Sequence, residues 1–173
     1  NNQTQSNFYK DIAKISRLNN GAHVENQLLK ASAKNGNLVV EAGGNQYINS
    51  IENAINAAVY GDTICINSGN YNGFAVNKDN ITIKGIGEVT ITPVNIAGYD
   101  PNTGIAITAS GIVVEGLIIN GGGITPSRGV SGSSGAKYTV KNVTFKNLTT
   151  GIYANASGSG TVELTAIGNE FNS

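Results

Sequence analysis

The sequence predicts a mostly β chain, wound as a short parallel β-helix with a capping helix at its N-terminal end and a helical arm before it. Three observations lead there. The hydrophobic period changes after Gly36 from helical spacing to strand alternation, returns to helical spacing for one short stretch, and alternates again beyond residue 61. From there on, short apolar runs are separated by Gly, Asn and Ser. Two ladders of apolar positions also advance along the chain together, by 22 to 31 residues a step.

A chain of 173 residues with 39% hydrophobic content can bury one core and reads as a single domain. Eleven basic residues balance eleven acidic ones, and no basic cluster occurs, so nucleic acid and anionic membranes are not implied partners. No apolar run approaches the roughly 20 residues of a membrane span. The polar start "NNQTQSNFYK" is not a signal peptide, so an exported protein has already lost its signal. The expected location is extracellular or on the cell surface. N-glycosylation sequons at Asn2, Asn80, Asn142, Asn147 and Asn155 fit such a product, although an Asn-rich, Ser/Thr-rich chain generates several by chance.

The elements follow in order. Phe8, Ile12 and Ile15 recur at helical spacing, as do Val24, Leu28 and Ala31, which predicts two short amphipathic helices within an arm of residues 1–36. Each has one narrow apolar stripe and must lie against something else. Residues 37–173 form the β-helix. "NLVVEA" reads as its first strand and "GGNQ" as a turn. Ser50 can then cap a helix over about residues 50–59, whose apolar face is Ile51, Ala54, Ile55 and Ala58, before Gly61 ends it.

In the first ladder, "ITIKGIGEV", "IVVEGLIIN", "YTVKNVTFK" and "VELTAIGNE" stack Ile83, Val114, Val140 and Leu164, then Ile86, Leu117, Val143 and Ile167. Between them sit Gly85, Gly116 and Asn142, types that tolerate a left-handed backbone at a sharp corner. Ala166 breaks that column. The second ladder aligns Phe74, Ile105, Val130 and Ile152, each directly after a glycine. Insertions such as "VNIAGYDPNTG" and "GGGITPSRG" are expected to bulge outward. An antiparallel sandwich competes, but the turns are not the two-residue Asn-Gly type that closes hairpins.

The stretch "NLVVEAGGNQYINSIENAINAAVYGDTICINSGNYNG" resembles the start of the pectin-lyase-like right-handed β-helix superfamily, and the later Asn-rich turns resemble the repeats of NosD-like surface proteins. The resemblance covers residues 37–173. It implies a right-handed coil whose N-terminal end is plugged by the helix "SIENAINAA".

Enzymes of that superfamily act on acidic polysaccharides, and the residues for such chemistry are not in place. A calcium-dependent lyase needs clustered carboxylates beside a basic residue, and a hydrolase needs paired carboxylates. Asp11, Asp62, Asp79 and Asp100 lie in different parts of the chain, with Asp62 and Asp79 reading as turn residues. Lys84, Glu115 and Lys141 share an outward column with Thr165 one register away, a pattern of surface pairing. His23 is the single histidine, and copper handling of the NosD-like kind lacks its ligands, because there is no methionine and only one cysteine. Cys65, between Ile64 and Ile66, points outward as a free thiol that the arm can cover. Tyr47, Tyr60, Tyr71, Tyr99, Tyr138 and Tyr153 do not fall in one column that would make a sugar-stacking face. No catalytic residue, cofactor or metal is expected.

The ends suggest a function instead. Four to five turns at about 25 residues each give a short solenoid, and the chain runs out at "GNEFNS" inside a repeat, with Ile167 and Phe171 in its last turn. An open end exposes apolar side chains and unpaired backbone. With the spare arm, this leads to the expectation of a non-enzymatic subunit that assembles with copies of itself into a filament, sheath or surface layer. The alternatives are an adhesin-like or carbohydrate-binding module with a glycan partner and, third, a polysaccharide lyase or hydrolase.

Overall fold

The computed structural model describes residues 37–40 and 51–173. The arm, with Phe8, Ile12, Ile15, Val24, Leu28, His23 and the sequon at Asn2, lies outside them, as do Ser50 and Tyr47.

The described chain is mostly β. It contains one short helix, α1 (Ile51–Ala57), between β1 (Asn37–Val40) and β2 (Thr63–Asn72). Then come β3 (Phe74–Val76), β4 (Thr82–Thr92), β5 (Val94–Ile96), β6 (Tyr99–Ile107), β7 (Ser110–Glu115), β8 (Ile118–Asn120) and β9 (Ser127–Gly132). β10 (Lys137–Lys141), β11 (Thr144–Lys146), β12 (Thr150–Ala154), β13 (Glu163–Ile167) and β14 (Glu170–Asn172) complete the order.

Pairing is parallel and skips along the sequence. In one sheet β1, β2, β4, β7, β10 and β13 lie side by side, and the later part of β4 continues through β8, β11 and β14. In a second sheet β3, β6, β9 and β12 do the same. Each segment therefore pairs with the one a circuit earlier, giving a β-helix-like stack of rungs spaced about 4.8 Å apart. The exception is the β5–β6 pair, which is antiparallel, Val94 opposite Thr103 and Ile96 opposite Tyr99. The insertion "VNIAGYDPNTG" is thus a hairpin extending one rung.

Inward side chains fill the stack. Ile64, Ile66, Ile83, Ile91, Ile105, Ile107, Val114 and Val140 are all fully buried. The second ladder has the expected register: Phe74 opposite Ile105, Ile105 opposite Val130, Val130 opposite Ile152. The glycines that precede these positions have a steric cause. A Cβ on Gly129 would come within 2.4 Å of the Gly151 carbonyl oxygen and 2.5 Å of the Phe145 ring, and one on Gly151 within 2.4 Å of Phe171. Only a residue without a side chain lets the backbone pass the inward ring of the neighbouring strand.

The first ladder differs from its expected register at both ends. Ile83, Val114 and Val140 do stack, but the next member is Ala166, and Leu164 lies opposite Tyr138. This shift of two residues restores the corner column: Gly116 at φ 68°, Asn142 at φ 52° and Gly168 at φ 61° are evenly spaced left-handed positions. Gly85 is not one of them. It is a close-approach glycine, since a Cβ there would lie 2.1 Å from the Gly116 carbonyl oxygen. Ile86 is 43% exposed, and the core position beside Leu117 belongs to Val89, because Thr90 pairs with Ile118 after the turn at Gly87. Ile167 likewise leaves the inward column, as described below.

Helix α1 is shorter than expected. Ile51, Ala54, Ile55 and Ala58 are nevertheless all buried, and the helix packs on β1, β2 and β3. Its end is held from another rung. Lys78 Nζ donates to the carbonyls of Asn56 and Ala58, the latter at 3.0 Å, which places a cation against the negative end of the helix dipole. Asp62 accepts from the Val59 amide at 2.8 Å and closes the turn into β2. Replacing Lys78 with Met, which keeps the stem and removes the donor, is expected to cost about 1 kcal/mol. Hydrogen exchange should rise in α1 before it rises in β7 or β10; uniform protection would reject this role for Lys78.

Candidate functional site

Two features of the surface rise above the regular stack: the open face at the last rung and the charged ladder on the outer side of the larger sheet.

The open face arises because inward columns run on into strands that nothing described covers. Tyr138 and Phe145 are each 2% exposed, whereas their partners one rung later, Leu164 and Phe171, are 39% and 61% exposed. The rings of Phe145 and Phe171 stack at 4.9 Å between centroids and 10° between planes. With Leu148 and Gly151 they line an open recess of about 160 Å³. Ile152 packs partly buried beside them. Phe171, named from the sequence as an assembly residue, is therefore an inward-type ring with one face uncovered. Ile167 is not of this kind. It lies opposite Lys141 in an outward column and is 54% exposed. The corner place expected for it holds Asn169, whose Oδ1 accepts from the Val143 amide at 3.0 Å while its Nδ2 donates to the Val140 carbonyl at 2.9 Å. Hydrogen bonds to the rung before let an amide occupy a corner where earlier rungs place an apolar side chain.

The outward column runs Cys65, Lys84, Glu115, Lys141, Ile167, one residue per strand. Thr165 sits in the neighbouring column, opposite Thr139. Glu115 bridges both lysines: Lys84 Nζ stands 3.1 Å from one carboxylate oxygen, and Lys141 holds the other. The hydrogen bond from Lys141, seconded by that from Lys84, keeps the Glu115 carboxyl below its usual range against the opposing effect of desolvation. Cys65 is a free, partly exposed thiol at the head of this column, and the arm expected to cover it lies outside the described residues. Burial pushes the Cys65 pKa up, the Lys84 charge opposing it, so thiolate is scarce at neutral pH.

A carboxyl with a lowered pKa has a fixed consequence for stability. The unfolded chain binds the Glu115 proton at a higher pH than the folded chain does, so the ladder's contribution is present above the ordinary carboxylate pKa of 4.5 and is lost as pH falls through the lower folded value. Denaturant midpoints of the wild type and Glu115→Gln should therefore stay apart above about pH 5 and draw together as pH falls below 4.5 and through the lower folded value. A constant difference across that range would remove the ladder from the acid response.

The described tyrosines do not make a common face. Tyr138 points inward, its hydroxyl donates to the Tyr153 carbonyl at 3.3 Å, and burial pushes its pKa up to about 12. Tyr60 is 80% exposed on the turn after α1. Tyr71 donates to the Asn67 carbonyl at 2.8 Å. Tyr153 lies on the outer side of β12 beneath the Arg128 guanidinium, 3.7 Å from ring centroid to Cζ.

Asp79 accepts from the Ser110 amide at 2.8 Å and so ties one rung to the next. Among the described residues no group of three or more His, Cys, Asp or Glu side chains is placed to hold a metal ion. None of the described helices is long and apolar enough to cross a membrane.

The sequons at three of the described sites share a structural origin that the sequence reading found only for Asn142. Asn80, Asn142 and Asn147 have φ of 56°, 52° and 51°, the left-handed corner conformation that asparagine tolerates. The following residue, Ile81, Val143 or Leu148, turns into the stack, and the Thr after it faces out. Asn, apolar, Thr is the local order of a corner followed by a strand.

Comparison of the chain with protein-family models, with curated proteins and with solved structures found no match.

Proposed function

We propose that this chain is a non-enzymatic structural subunit, a right-handed parallel β-helix of the pectin-lyase-like kind, that joins copies of itself into an extracellular filament, sheath or surface layer. The observation that carries the reading is the drop in cover along single columns, from 2% exposure at Tyr138 and Phe145 to 39% and 61% at Leu164 and Phe171. Apolar rings in register with a core, left open on one side, are the natural seat for another apolar surface. The amphipathic arm of residues 1–36 from a neighbouring copy supplies one. Head-to-tail contacts of this type form open polymers unless a rotation closes them.

Electron microscopy and sedimentation of the full chain test the proposal. Filaments or sheets that vanish when residues 1–36 are deleted are expected. Dispersed monomers at high concentration would sink it, and so would a native polypeptide in which a further coil of the same chain covers Leu164 and Phe171.

A second reading, a carbohydrate-binding module, is favoured by the shallow groove along the charged ladder, lined by Thr63, Cys65, Lys84, Ile86, Val113 and Glu115. Glycan-array binding by a monomer, lost in Lys84→Ala, would favour it over assembly.

A further inference from the structure

The structure separates the sequons by what a glycan would meet, and we propose that Asn155 is an acceptor for an N-linked glycan. At Asn80, Asn142 and Asn147 the amide is occupied by the stack. A Cβ on Gly111 would lie 2.2 Å from Asn80 Oδ1, and one on Gly168 would lie 2.7 Å from Asn142 Oδ1, so both amides rest against a neighbouring rung. Asn147 Nδ2 donates to Asn120 Oδ1 at 3.2 Å. In the first two of these sequons the middle residue is core: Ile81 is 1% exposed and Val143 is 0%. Leu148 is partly buried against the same core. A transferase that must draw out all three residues of the sequon would have to unravel a rung.

Asn155, Ala156 and Ser157 are all exposed. They open the connection between β12 and β13, "NASGSGTV", which has no large apolar side chain before Val162. Asn155 is not among the left-handed asparagines of the corners. The connection is nonetheless ordered against the loop one rung earlier. The Asn155 amide donates to the Gly132 carbonyl at 2.9 Å, the Ser157 amide to Ser134 Oγ at 2.8 Å, and the Gly135 amide to the Thr161 carbonyl at 2.8 Å. Backbone contacts and the Ser134 hydroxyl, which also lies 3.4 Å from the exposed Ser157 hydroxyl, hold the loop, while the Asn155 side chain is exposed and free of the core. An oligosaccharide there adds bulk without displacing a packed group.

The transfer needs an oligosaccharide on a lipid diphosphate and its transferase. Asn155 Nδ2 attacks the anomeric carbon, a C–N bond forms as the C–O bond to diphosphate breaks, the lipid diphosphate departs, and the amide proton passes to a base of the transferase. The inference does not rest on assembly: a glycosylated monomer would support it and leave the filament reading to fail alone.

The test is the full chain, carrying Asn2→Gln so that only described sequons report, secreted from a host that glycosylates asparagine. Peptide mapping after enzymatic glycan release in heavy-oxygen water reads each site. One glycan at Asn155 is expected, lost in both Asn155→Gln and Ser157→Ala and increased in occupancy in Ser157→Thr. An unmodified Asn155 in secreted, folded protein would overturn the proposal, as would glycans at Asn80, Asn142 or Asn147 in chains that resist protease as the unmodified chain does.

Discussion

Phe171→Asp is expected to abolish assembly while leaving the chain folded. The Phe171 ring is 61% exposed and rests on Phe145, so its removal takes little from the stack itself. Covering a phenylalanine side chain is worth roughly 1.5–3 kcal/mol. At 1.4 kcal/mol per tenfold, Phe171→Ala should raise the critical concentration for assembly roughly 10- to 100-fold. A carboxylate at this place adds the cost of burying a charge and should remove assembly altogether. Sedimentation velocity over a concentration series, with circular dichroism on the same samples, checks both halves. Assembly unchanged in Phe171→Asp would move the interface away from this end of the stack.

The largest loss of stability is expected from Phe145→Ala. Phe145 is 2% exposed, stands between Ile119 and Phe171 in one column, and closes on the gap left by Gly129 and Gly151. Truncating so enclosed a ring leaves a cavity and costs about 3–5 kcal/mol. In a chain of this size each kcal/mol lowers Tm by about 2–4 °C, so a fall of roughly 6–20 °C is expected. Gly129 supplies the control. Gly129→Ala crowds the same ring and should cost about 1–3 kcal/mol alone, but less in the Phe145→Ala background, where the ring is gone. Simple additivity of the two changes would mean that the glycine serves the backbone near Gly151 rather than the ring.

The two ladders show how far a repeat can be read from residues. The glycine-led ladder through Phe74, Ile105, Val130 and Ile152 was legible to the residue, because a glycine before each apolar position marks where the backbone passes close to a neighbouring strand, against its carbonyl at Gly73 and Gly104 and against a ring at Gly129 and Gly151. The other ladder was legible only in its middle. Aligning Leu164 with Val140 matched the larger apolar side chain, whereas the backbone matches Ala166, since the left-handed corners at Asn142 and Gly168 set the register. Backbone conformation outweighs side-chain size here because a two-residue slip would put a strand residue into φ near 60°. Ile86 failed for a similar reason: an extra turn at Gly87 handed its place to Val89.

What the residues alone determined was the grammar: a mostly β chain of short parallel-pairing runs, a capping helix whose Ile51, Ala54, Ile55 and Ala58 are buried, and an outward column that pairs Lys84, Glu115 and Lys141. These follow from period and local chemistry, which a linear string carries. Only the tertiary structure decided the rest. It showed that Phe171 stacks on Phe145 with one face open, that Ile167 points out, that Lys78 holds the end of α1, and that Asn155 differs from the corner asparagines. Each of these depends on which residue lies one rung away, and that distance in sequence varies from circuit to circuit with the length of every insertion.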